Sequence, residues 1–217
     1  MYAMSNYLEQ EILKHIFRTG SYTKPTVLAI ALLKTLPSDD AGTGLVELAM
    51  TGYARKQVNP LDANWTDPSL GTQGEVDNAA AQSFGTLTGT GERAIGVALY
   101  DAVTAGNLYF VGPLANAWQG AVIDATNDKL LAFAHGYSNG DRVFLRGLVG
   151  GTGLDEATEY YVVGATTDDF QVSLTLGGAA VTITADGACE AGASQAKDIA
   201  SGDEAKFNAG ELNFQLD

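Results

Sequence analysis

The chain of 217 residues holds one cysteine, Cys189, so no internal disulfide can form. Nothing therefore ties it to an oxidising compartment. Cys189 stands in the run ADGACEAGAS and reads as an inert small side chain rather than a reactive thiol. Histidines are as scarce: His15 and His135, neither with a second His, Cys or acid at ligand spacing, so no metal site is expected. No Gly-x-Ser-x-Gly elbow is present, and the lone cysteine has no histidine at a known catalytic spacing. The longest apolar run, Val27 to Leu33, falls far short of the ~20 residues of a membrane helix. The N-terminus begins Met-Tyr-Ala-Met and then turns polar, which is not the basic-then-apolar order of a signal peptide. Met4-Ser5 reads as a plausible start, and synthesis in the cytoplasm is expected. Basic residues number 12 against 26 acidic ones, a net charge of −14. Such a surface repels phosphate backbones and argues against nucleic-acid binding. Solubility is the plain reading of that charge.

Proline is also sparse, at five residues, while glycine reaches 26. That glycine surplus, against an average near ~7%, fits the tight turns of an all-β chain. One helix is predicted near the N-terminus. Ser5 or Asn6 can cap it, Asn6 with Glu9 has capping-box spacing, and Gly20 supplies a stop. Leu8, Ile12, Leu13, Ile16 and Phe17 fall on one side of it. From Thr26 the pattern becomes strand-like. TVLAIALLK, bracketed by Pro25 and Pro37, reads as a strand buried on both faces. Further strands are predicted around Gly52–Val58, Gln82–Leu87, Ala94–Tyr100 and Asn107–Val111, with 101–106 as a hairpin turn and 59–77 as a long loop. Beyond residue 121 dense turn signals separate LLAFAH, RVFLRG, EYYVVGA, FQVSLTL and AVTITA, which indicates a small all-β module. Glu211–Asp217, with Leu212, Phe214 and Leu216 alternating, reads as a final strand.

Several groups could imitate a site. Thr88-Gly89-Thr90-Gly91-Glu92 lacks the lysine and helix of a phosphate loop and reads as a turn. Asp39-Asp40 and Asp168-Asp169 lack the further oxygen ligands of a calcium loop. Tyr160, Tyr161 and Phe170 could form a sugar platform, but strand pairs filling a small core are the better reading.

Four stretches resemble a family of small tailed-phage virion proteins, labelled tail-fibre-like or head-decoration (cement) proteins. They are the N-terminal helix, YTKPTVLAIALLKTLPSDD, TGYARKQV and the IGVALYDAVTAGNLYFVGPLA block. The resemblance covers about Tyr22 to Leu114 and resumes at SGDEAKFNAGELNFQLD. The intervening stretch is similar to a β module of phage tail fibres, through HGYSNGDRVFLRG and GLDEATEYYVVGATTDDFQVSLTLGG. The expected fold is mainly β: a β-sandwich or jelly-roll-like body with an N-terminal helix, formed by residues 1–117 and 195–217, and a projecting module, 118–194. Insertion at an exposed loop tip is the tolerated way to build such a chain.

The resemblance implies a structural virion protein, not an enzyme, with no cofactor. A capsid decoration protein bridging major capsid subunits on the outer shell is the first expectation, with a tail fibre, baseplate or adaptor component as the rival. Expected partners are the major capsid protein and copies of itself, as a trimer, with neither nucleic acid nor membrane. A host-surface glycan is a further option for the module. Leu8, Ile12 and Ile16 on the helix, with Leu108, Tyr109 and Phe110 on a strand, are the candidate subunit or capsid contacts.

Overall fold

A computed structural model describes residues 3–68 and 75–215. The fold is mainly β with one N-terminal helix, and the chain divides into two compact units. The body comprises Met1–Pro113 and Ala196–Asp217; the second unit is Leu114–Gln195.

The body opens with β1 (Ala3–Met4) and helix α1 (Asn6–Phe17). Ser5 is the cap: its Oγ accepts from the Leu8 N–H, and its carbonyl accepts from the Glu9 N–H. Asn6 is therefore already helical, and its spacing to Glu9 plays no capping part. The helix ends at Phe17, with extended Arg18 behind it, three residues before the glycine expected to stop it.

The principal sheet is antiparallel. It uses β2 (Ala29–Thr35), β3 (Val46–Glu47), β4 (Lys56–Gln57), β8 (Gly96–Tyr100) and β9 (Leu108–Pro113). Its order is β1-β9-β8-β2-β3, with β4 also on β2. The apolar run behaves as its composition requires, with Ala29 to Leu33 all buried. The strand expected over Gly52–Val58 is reduced to Lys56–Gln57, for a visible reason. Tyr53 turns its hydroxyl onto β2, accepting from the Leu32 N–H at 2.9 Å. A side chain thus meets backbone that a longer strand would have paired.

The remaining body strands form three two-stranded ribbons. β5 (Glu75–Asp77), β6 (Gln82–Thr86) and β7 (Glu92–Ala94) pair with β18 (Asn213–Gln215), β17 (Glu204–Phe207) and β16 (Lys197–Ile199) respectively. The returning segment thus runs antiparallel to 75–94 instead of extending the principal sheet. Asn78, fully buried, fastens it: Nδ2 donates to Ala80 and Asn208 carbonyls, while Oδ1 accepts from the Leu212 N–H at 2.8 Å. Leu216, expected on the last strand, lies outside the described residues.

The second unit is a closed barrel. Its strands are β10 (Ala115–Asp124), β11 (Lys129–Leu131), β12 (Arg142–Gly150), β13 (Tyr160–Val163), β14 (Asp169–Ser173) and β15 (Gly187–Ser194). They close in the order β10-β11-β14-β13-β12-β15. Tyr160, Phe170, Leu130, Leu145, Ile123 and Val162 fill the interior. LLAFAH contributes only its first residues to a strand. AVTITA keeps its alternating burial, with Ile183 inside and Thr182 and Thr184 outside, yet forms no ladder. The strand lies instead in the small-residue run after it, β15, bonded to both β10 and β12. Those small residues answer close neighbours: a Cβ on Gly187 would stand 1.9 Å from the Val149 carbonyl oxygen, and one on Gly192 2.6 Å from the Trp118 ring.

Candidate contact surface

Helix α1 presents one apolar face whose surroundings change along its length. Leu8, at 5% exposure, packs into the body. Ile12, one turn on, is half-buried at the edge of a cleft. Leu13, Ile16 and Phe17 then stand out at 54%, 61% and 75% exposure. The cleft, about 760 Å³, lies within the body. Trp65, Phe110 and Phe214 line it, with Leu61, Pro60 and Pro68 on the loop side. Phe214 packs on Phe110 and Trp65, with ring centroids 5.5 and 5.8 Å apart. Asp62, Asp67 and Lys24 bring charge to this largely apolar wall.

The six expected contact residues separate into three groups. Leu8, Leu108 and Tyr109 are buried. The Tyr109 hydroxyl accepts from Tyr22 at 3.2 Å, and burial, then that bond, raises its pKa. Leu108 closes over Gly42, and its carbonyl accepts the Ser5 hydroxyl that caps the helix. Ile12 and Phe110 border the cleft, and Ile16 is open. No local pattern places Trp65 and Phe214 beside them. The two lie far apart in the chain and meet through the β5–β18 pairing.

The barrel carries its own exposed apolar feature. Val149 pairs with Ala188, Ala188 with Val122 and Val122 with Leu131, a row across β12, β15, β10 and β11 whose members are all exposed. Phe133 follows at 80% exposure. Such a row exists only once the register is known, so periodicity along one strand cannot reveal it.

The groups singled out for chemistry have structural surroundings. His135 is buried, its Nδ1 accepting from the Tyr137 N–H and its Nε2 facing the Asp169 carbonyl at 3.2 Å. Cys189 points into the barrel, and burial pushes its thiol up to about 11. Asp39 accepts from the Thr43 and Ala41 N–H groups, shaping the turn after Pro37, and the Thr43 bond leads in lowering its pKa. Asp168 accepts from the Ala134 N–H, and Asp169 stands 3.0 Å from the Lys129 ammonium. Tyr160 and Phe170 are interior, so no platform of three rings forms; Tyr161 instead lies under the Arg142 guanidinium at 4.6 Å. Among the described residues no three His, Cys, Asp or Glu side chains gather as metal ligands. No helix there is long and apolar enough to cross a membrane.

A family model described as Podophage GP4 fiber I protein gp80 matches residues 3–130. The match takes in α1, the principal sheet and β10, and runs into β11, past the residue where the resemblance placed the start of an insertion. No curated protein matches the chain. With more than half of its length matched, the chain belongs to the Podophage GP4 fiber I protein gp80 family, a fibre-type family of tailed-phage virion proteins.

Proposed function

We propose that this protein is a non-catalytic structural component of a phage fibre assembly and works by holding other virion subunits. The family match over residues 3–130 carries the reading. The exposed half of α1, the apolar cleft and the cross-strand row on the barrel supply surfaces suited to contact. Its partners are copies of itself and at least one other virion protein, and it uses no cofactor. The barrel is the part suited to meet a host surface, because Phe133 and the apolar row leave apolar area open to solvent.

A second reading is a decoration protein that bridges major capsid subunits on the outer shell. The resemblance of IGVALYDAVTAGNLYFVGPLA to proteins labelled in both ways favours it. Quantitative densitometry of purified virions separates the two. A few to a few dozen copies per particle support the fibre, and hundreds support the shell. Turnover of a cell-wall or capsule polysaccharide by the purified protein would overturn both.

A further inference from the structure

We propose that the outer half of α1 in one copy of this chain docks into the apolar cleft of another copy. A three-turn helix gains most of its stability from packing its apolar face. Here Leu8 is buried and Ile12 half-buried, and Leu13, Ile16 and Phe17 extend the face into solvent. The cleft receives apolar side chains on Trp65, Phe110 and Phe214, and at about 760 Å³ has room for several.

Charge selects the occupant. Residues 12–38 contain Lys14, Arg18, Lys24 and Lys34 and no acid. Four of the chain's 12 basic residues fall there, leaving eight against 26 acidic residues elsewhere. Of the four, Lys14 and Arg18 stand at the exposed end of the helix, Lys14 within reach of Glu11 at 2.8 Å, while Lys24 lines the cleft and Lys34 pairs with Glu92. The cleft carries two carboxylates, Asp62 and Asp67, against one ammonium, Lys24. A second copy supplies both complementary halves: an apolar knob beside Lys14 and Arg18, and an apolar cleft in which two carboxylates outnumber one ammonium. Opposite charge on two such surfaces steers encounter and fixes register. A knob and a cleft on one molecule make a head-to-tail contact, which closes into a ring when the rotation permits.

The inference deepens the proposed structural role and rests on it, yet it fails separately. Sedimentation velocity of the full chain over a concentration series should show reversible self-association that weakens with salt. Ile16→Asp with Phe17→Asp, both at exposed positions, should keep the far-UV circular dichroism and weaken association by about a hundredfold. Arg18→Asp should weaken it less. Mixing that variant with Asp62→Lys should give tighter association than either variant shows alone. A wild-type chain that stays monomeric, or a double variant that assembles as tightly as wild type, overturns the proposal. A monomeric chain that still enters the virion, and loses entry with Ile16→Asp, would assign the knob to a different virion protein. That outcome overturns the self-docking while leaving the structural role intact.

Discussion

The barrel and the body meet the same hazard, unpaired backbone at the edge of a sheet, in opposite ways. The barrel abolishes the edge by closing six strands on themselves. The body keeps its edges and makes them short. β1 and β3 have two residues each, and the Tyr53 hydroxyl bonds to β2 between β3 and β4. The two units also differ in where along the chain their partners lie. Every barrel pair falls between residues 115 and 194. The body instead joins Asn78 to Leu212, 134 residues apart. Loop closure over such a span slows folding. The contrast teaches that closure makes a unit self-sufficient, whereas the body cannot finish its core before its last residues arrive.

Trp65 in the body and Trp118 in the barrel allow the contrast to be tested, since Trp65→Phe and Trp118→Phe each leave one reporter. The largest effect is expected from replacing residues 118–194 with a short Gly-Ser linker. The Trp118 signal goes with the segment, and the Trp65 transition in urea should survive. Its loss would show that the body depends on the barrel. Phe170→Ala removes a fully buried ring and should lower barrel stability by about 3–5 kcal/mol, with the Trp65 transition unmoved. Alkylation of Cys189 gives a second readout: its thiol, pushed up to about 11, should react slowly at neutral pH in the native chain and faster in this variant. Asn78→Ala leaves backbone groups unpaired where the tail returns and should cost about 2 kcal/mol, seen as earlier proteolytic release of the C-terminal segment.

The smallest effect concerns acid. Bonds from Lys34 and the Ala49 N–H hold the Glu92 carboxyl below the usual carboxylate range. A depressed value in the folded state means the contribution is complete above ~4.3 and is lost as pH falls through the lowered value. Glu92→Gln should therefore flatten the acid limb of body stability by less than about 1 kcal/mol and leave the barrel's limb unchanged.

What the sequence disclosed follows from which forces act locally. The helix, the doubly buried β2 and the β8–β9 hairpin were legible because capping, apolar runs and turn chemistry are encoded within a few residues. In the hairpin, Asp101 accepts from the Asn107 backbone and side chain, and Ala105 and Gly106 take positive φ. β15 was illegible because its small residues reflect neighbours on both sides, and only the register brings those neighbours close. AVTITA misled in the opposite sense, since alternation reports burial and a ladder needs a partner strand. The cleft fell between the two cases. Ile12 and Phe110 could be named from pattern, whereas Trp65 and Phe214 join them through pairing across most of the chain.

The two ends of the barrel segment are neighbours, Ala115 opposite Ser194, with the Gln195 N–H donating to the Leu114 carbonyl. A segment put in place of the stretch between them need only have ends about one interstrand spacing apart. Residues 114 and 195 are therefore the positions at which a reporter of closely spaced ends can be grafted in place of the barrel.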